Sequence, residues 1–110
     1  MSQTQTHPHS PIDLVNMQSA AEQACALLKV LANPDRLLLM CQLSQGEMSV
    51  GELEARLGIH QPTLSQQLAV LRESGLVSTR REGKSIIYSV ASGQALAVMT
   101  VLYEQFCANT

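Results

Sequence analysis

The sequence predicts an α+β fold, mainly α, in the order helix, helix, helix, helix, strand, strand, helix. Three observations predict it. Ser49-Val50-Gly51-Glu52 opens, and Gly75 closes, a pair of short amphipathic helices with a turn at Gly58-Ile59-His60-Gln61. Two β-rich runs, Val77-Ser78-Thr79-Arg80-Arg81 and Lys84-Ser85-Ile86-Ile87-Tyr88-Ser89-Val90, meet at Glu82-Gly83. Apolar residues recur at helical spacing on both sides of that unit.

Each element has its own signals. Ile12 to Leu31 reads as a long helix, with Leu14, Met17, Ala21, Ala24, Leu28 and Leu31 near helical spacing. Asn33 caps a second helix with Pro34 at its first position; it runs from Arg36 to about Ser44, and Gly46 lies beyond its end. Ser49 and Glu52 have the spacing of a capping box, which satisfies two orphan N–H groups of a third helix carrying Leu53 and Leu57. That helix stops at Gly58. Pro62 falls in the first turn of the fourth, where a missing N–H is no loss. Leu64, Leu68 and Leu71 follow the i, i+4, i+7 spacing of a buried stripe, and Gly75 suits the left-handed position that ends it, with Leu76 as the apolar clamp. In the hairpin, Gly83 supplies the positive φ of a tight connection, and Ile86, Tyr88 and Val90 share one face. A last helix after Ser92 carries Leu96, Met99, Leu102, Tyr103 and Phe106.

Two short helices of this kind place the second in the major groove of DNA. Relative to the leucine stripe, Thr63, Ser65 and Gln66 fall on flanking or opposite directions, and Gln61 stands at the helix start. A Gln reads adenine through a bidentate hydrogen bond, and Gln66 is the first candidate for it. His60 is a poor N-cap, which leaves the start of this helix without an obvious capping side chain. Arg80, Arg81 and Lys84 crowd the hairpin tip, where a phosphate backbone relieves their mutual repulsion.

The formal net charge of −2 runs against DNA binding until it is divided. From Arg56 to Lys84 there are five cations and two acids, a balance of +3; the remainder carries two cations and seven acids, a balance of −5. Phosphate responds to the local field. With two Tyr, one Phe and no Trp, stacking on single-stranded nucleic acid is not expected. No phosphate loop, G-x-S-x-G or H-E-x-x-H points to an enzyme, and the carboxylates are scattered singly. The length suits one domain over residues 12–110, after a polar tail, Met1 to Pro11, expected to be disordered. With no apolar run of transmembrane length and no signal-peptide pattern, no membrane partner is expected and the chain reads as cytoplasmic. The first and last helices carry more apolar residues than one small core needs, which points to a homodimer formed through them. A two-fold dimer presents two reading helices to a palindromic site.

From Leu27 through Cys107, about three quarters of the chain, these residues resemble the ArsR/SmtB family of winged helix-turn-helix repressors. The resemblance is carried by Leu31-Ala32-Asn33-Pro34-Asp35-Arg36-Leu37, Gly51-Glu52-Leu53, Gln61-Pro62-Thr63-Leu64-Ser65-Gln66-Gln67-Leu68, Leu71-Arg72-Glu73-Ser74-Gly75-Leu76-Val77, and Arg80-Arg81-Glu82-Gly83-Lys84 with Tyr88. It implies a homodimer that sits on double-stranded operator DNA, an imperfect palindrome, and leaves it when an inducer binds. Many members sense metals, and here the chain departs from them. Their Cys-x-Cys would fall around Met48 to Gly51, where there is no Cys, and from Ser92 to Cys107 there is neither His nor Asp. His7, His9, His60 and three scattered Cys do not make a ligand set, so no metal and no other cofactor is expected.

Cys41 in the second helix and Cys107 near the end of the last look like the persulfide-responsive dithiol branch of the family, the BigR and SqrR type. The resemblance implies that the two are close and redox-sensing: reactive sulfur species bridge them by a disulfide or polysulfide, and the repressor leaves DNA. Cytosolic dithiols are more often catalytic or sensing than structural. Cys25 reads as a small hydrophobe. A general redox-responsive or haem-responsive repressor with the same thiols, and a DNA-binding architectural protein without a sensor, are the alternatives.

Overall fold

In a computed structural model that describes residues 13–108, each helix but one begins at a side-chain cap. Asp13 accepts from the Val15 N–H at 3.0 Å to open α1 (Leu14–Leu31). Asn33 accepts from the Arg36 N–H at 3.0 Å, with Pro34 at the first position of α2 (Pro34–Gln45). A short strand β1 (Met48–Ser49) runs straight into α3 (Val50–Leu57). There the capping box is complete: the Glu52 N–H donates to Ser49 Oγ at 3.1 Å and the Ser49 N–H to Glu52 Oε1 at 2.8 Å. The Ser49 N–H, and after it the Ser49 side chain, hold the Glu52 carboxyl below the usual carboxylate range. α4 (Thr63–Glu73) is followed by β2 (Val77–Glu82), β3 (Ser85–Val90) and α5 (Gly93–Phe106), the last capped by Ser92. The tail expected over Met1 to Pro11, and Ile12 with it, lies outside the described residues.

The exception is α4. Pro62 occupies its cap position, one residue before the first turn where the sequence placed it, and donates no side-chain cap. Two further details differ from the sequence reading. Glu82 pairs with Ser85 across the hairpin, so the connection is Gly83-Lys84 rather than Glu82-Gly83, with Gly83 at φ +64°. A connection one residue later places the positive φ first in the turn, where glycine meets no steric penalty. The sheet also has three strands, in the order β1-β3-β2, because Met48 and Ser49 pair antiparallel with Tyr88 and Ile87. The fold class stands as predicted: mainly helical, with a small antiparallel sheet.

The core is gathered around α2, which packs against α4, α5 and β3. Leu39 and Met40 of α2, Leu53 of α3, Leu64, Leu68 and Leu71 of α4, and Ala95 and Met99 of α5 are all buried. Fully burying a leucine or methionine side chain stabilises by roughly 1.5–3 kcal/mol. α4 ends in a Schellman motif: the Leu76 N–H returns to the Leu71 carbonyl and the Gly75 N–H to Arg72, each at 3.0 Å, with Gly75 at φ +78° and Leu76 buried. α1 behaves differently. Only Leu31 at its end is buried, and Leu14, Val15, Met17 and Leu28 stand exposed along a molecule 52 × 33 × 22 Å in extent.

Candidate nucleic-acid interface and dithiol groove

Burial of Leu64, Leu68 and Leu71 fixes which way α4 faces: Gln61, Thr63, Ser65 and Gln66 are all exposed on the side turned away from the core. They do not stand equally ready. Gln61 Oε1 accepts from the Ser65 N–H at 3.1 Å and from the Ser65 hydroxyl, so Gln61 supplies the cap that His60 and Pro62 do not. Its amide oxygen and the Ser65 hydroxyl are therefore engaged at home. The Gln66 side chain has no protein partner among the described residues, which leaves both its amide oxygen and its amide nitrogen for a ligand. His60 leans on α3, its Nδ1 lying 3.0 Å from Glu54 Oε2.

The three wing cations divide as well. Arg80 is held by Glu47 through both of its terminal nitrogens, at 2.7 Å for Nη2, and by Glu82 at 2.9 Å. These contacts raise the Arg80 pKa and lower that of Glu47. The expected three-cation cluster is thus two cations and a neutralised third, because β1 brings Glu47 alongside β2 by way of β3. Among the described residues, no carboxylate reaches ion-pair distance of Arg81 or Lys84, and both are exposed. Glu47 was not legible as a wing residue, since nothing in its own sequence neighbourhood pairs it with Arg80.

On another face, Cys41 and Cys107 line one groove of about 540 Å³ together with Pro34, Leu37, Leu38, Leu102 and Phe106. α2 supplies one wall and α5 with its cap residue the other. Cys41 is half-buried and Cys107 exposed; Cys25, on α1, is exposed and lines no part of the groove. Burial pushes the Cys41 thiol up, and the neighbouring Cys107 pushes it further the same way. Among the described residues that line the groove there is no cation to oppose this. The Cys41 carbonyl accepts from the Ser44 hydroxyl at 2.6 Å. Among the described residues, no three His, Cys, Asp or Glu side chains gather to hold a metal ion, and no helix is long and apolar enough to cross a membrane.

Comparison with known proteins agrees with the fold. Residues 33–79 match the family described as bacterial regulatory protein, arsR family. The biofilm growth-associated repressor of Agrobacterium fabrum is 53% identical, over 96% of this chain and 94% of its own length. The crystal structure of the transcriptional repressor BigR from Xylella fastidiosa superposes with a TM-score of 0.80 at 50% identity, over 88% of this chain and 99% of that one. A homodimeric winged helix-turn-helix DNA-binding domain from Mycobacterium bovis superposes with a TM-score of 0.70 at 27% identity, over 87% of this chain and 89% of that one.

Proposed function

The chain belongs to the ArsR family and is a DNA-binding transcriptional repressor of the BigR type, not an enzyme, and from that premise we propose that Cys41 and Cys107 are its inducer site. The observation that carries the proposal is the shared apolar groove between α2 and α5. Reactive sulfur species are the inducer. An exposed Cys107 thiolate attacks the sulfane sulfur of a persulfide RSSH, giving a Cys107 persulfide and releasing RSH. Cys41 then attacks Cys107 Sγ, closing a disulfide and releasing hydrogen sulfide. The dithiol loses two electrons and the sulfane sulfur gains them. Each sulfur retained in a longer bridge consumes one more persulfide and releases one more RSH.

The same proposal extends to the assembly and the DNA. α1 and α5 leave Leu14, Met17, Leu28, Val101 and Phe106 exposed, and a two-fold dimer through these helices covers them. It presents two α4 helices to an imperfectly palindromic operator, with Gln61, Thr63, Ser65 and Gln66 toward the bases and Arg80, Arg81 and Lys84 toward phosphates. A bridge that draws α5 against α2 then shifts the dimer helix and with it the spacing of the reading helices. Such a repressor works in the cytoplasm, where its operator is.

Replacement tests the dithiol directly. Cys41→Ser and Cys107→Ser should each leave reduced DNA binding intact and abolish release by polysulfide, while Cys25→Ser behaves as the parent. Intact mass should show the two thiols joined with whole sulfur atoms retained or with loss of two hydrogens; loss of two hydrogens under peroxide as readily as under persulfide would make this a general redox switch. Because the Cys41 thiol is pushed up, bridge closure should accelerate as pH rises toward and beyond its ordinary value of 9.0. A Cys41→Ser protein that still leaves DNA under polysulfide overturns the reading.

A further inference from the structure

Arg36 belongs to neither site, yet it touches elements of both. It stands half-buried in the first turn of α2, on the same helix as Cys41. Its Nε donates to the Val30 carbonyl at 2.6 Å and its Nη1 to Gln67 Oε1 at 2.8 Å. Val30 lies in the last turn of α1, where a carbonyl has no partner within the helix. Gln67 lies on α4, half-buried, one residue from the exposed Gln66. Among the described residues no carboxylate forms an ion pair with Arg36, so its guanidinium serves these two acceptors. The guanidinium is planar and rigid, and two acceptors bound by one such fork are fixed relative to each other, which a flexible ammonium does not achieve.

We propose that Arg36 is a positioning residue for DNA reading: through Val30 and Gln67 it sets the rotation and height of α4 against α2 and the end of α1. The arrangement also makes it the link by which a displacement of α2 at Cys41 reaches the reading helix, a second half that rests on the dithiol reading above. An α-helix advances about 1.5 Å per residue, so Arg36 and Cys41 are little more than one turn apart on one rigid rod. Loss of the fork leaves the phosphate contacts of the wing untouched, because Arg81 and Lys84 lie on a different element.

The test uses the full dimeric chain and two duplexes of equal length, one selected by the parent protein from a randomised pool and one with its bases scrambled. In the reduced state Arg36→Met and Gln67→Met should each weaken binding to the selected duplex about tenfold, the scale expected for a lost charge-assisted hydrogen bond. Binding to the scrambled duplex should stay within about twofold. Arg36→Lys should fall between parent and Arg36→Met. The double replacement should be no weaker than the weaker single one, since both remove one interaction. Should Arg36→Met fail to fold, Gln67→Met removes the same bond from the other side and carries the test. Parent-like affinity for the selected duplex, equal losses on both duplexes, or a double replacement whose loss is the product of the singles overturns the proposal. In a second arm, polysulfide should separate reduced from treated affinity less in Arg36→Met than in the parent. If Arg36→Met releases as fully as the parent, the linking half is overturned. If the parent itself does not release, the dithiol reading fails while the first arm still decides the positioning half.

Discussion

Between Ser49 and Val90, Leu53, Leu64, Leu68 and Leu71 are buried to within 1% of complete, whereas along α1 only Leu31 is buried and Leu14 is 65% exposed. α5 is split between these behaviours: Ala95 and Met99 are fully buried, yet Phe106 at its end is 73% exposed. The reading half satisfies its apolar side chains within one chain and its helix ends through its own caps. The terminal helices are capped in the same way, by Asp13 and Ser92, but leave much of their apolar surface exposed, and exposed apolar patches of this kind mark interaction surfaces. One half is complete as a fold; the other leaves the apolar surface that the proposed dimer would cover.

That contrast can be broken at several points, and the largest effect belongs to the terminal helices. Leu28→Asp should leave the thermal stability of the reading half almost unchanged but dissociate the proposed dimer, lowering operator affinity by roughly a hundredfold or more; sedimentation and DNA titration read the two separately. Dissociation without loss of operator affinity would show that one subunit reads DNA alone. Leu68→Ala tests the opposite side: a buried leucine truncated in the core should lose roughly 2–5 kcal/mol of unfolding free energy, seen in denaturant melts of the whole chain. Gln66→Ala comes next. It should relax discrimination at one operator position by about 1–3 kcal/mol with no change in stability. Gln61→Ala should differ from it in kind, since its oxygen caps α4, and should lower helix stability as well as affinity. The smallest effects lie in the wing. Arg81→Ala and Lys84→Ala should each reduce the salt slope of log affinity by about 0.9, whereas Arg80→Ala, already neutralised by Glu47 and Glu82, should change it less. Equal slopes for all three would mean that DNA displaces the carboxylates.

The same contrast explains what was legible in the sequence. Caps, Schellman glycine and leucine stripe are local rules written in adjacent residues, so Asn33, Ser49 with Glu52, and Gly75 with Leu76 could each be read without a partner. β1 could not. Two residues carry no period, and Met48-Ser49 is a strand only because β3 lies beside it. Glu47's hold on Arg80 was hidden for the same reason. The hairpin turn was misplaced by one residue because Glu82-Gly83 and Gly83-Lys84 both offer a glycine, and register across the strands decides between them. Gln61 as a cap was missed because a Gln before a Pro matches no capping pattern; only the fold brings its side chain back over Ser65. The positions of Cys41 and Cys107 in one groove depend on how α2 packs on α5, which composition does not encode.

Leu76 carries a last consequence. Its N–H closes the end of α4 on Leu71, and its carbonyl accepts the Ala91 N–H at 2.9 Å where β3 runs out toward α5. One residue thus ties the end of the reading helix to the root of the wing through both its N–H and its carbonyl. Helix and wing behave as the two fixed jaws of a calliper. A half-site is measured at a set gauge, and a bound DNA that deviates from that gauge must itself bend. In the proposed dimer a shift of α4 would carry the wing with it, so release would come from a change of angle between two callipers rather than from the opening of one.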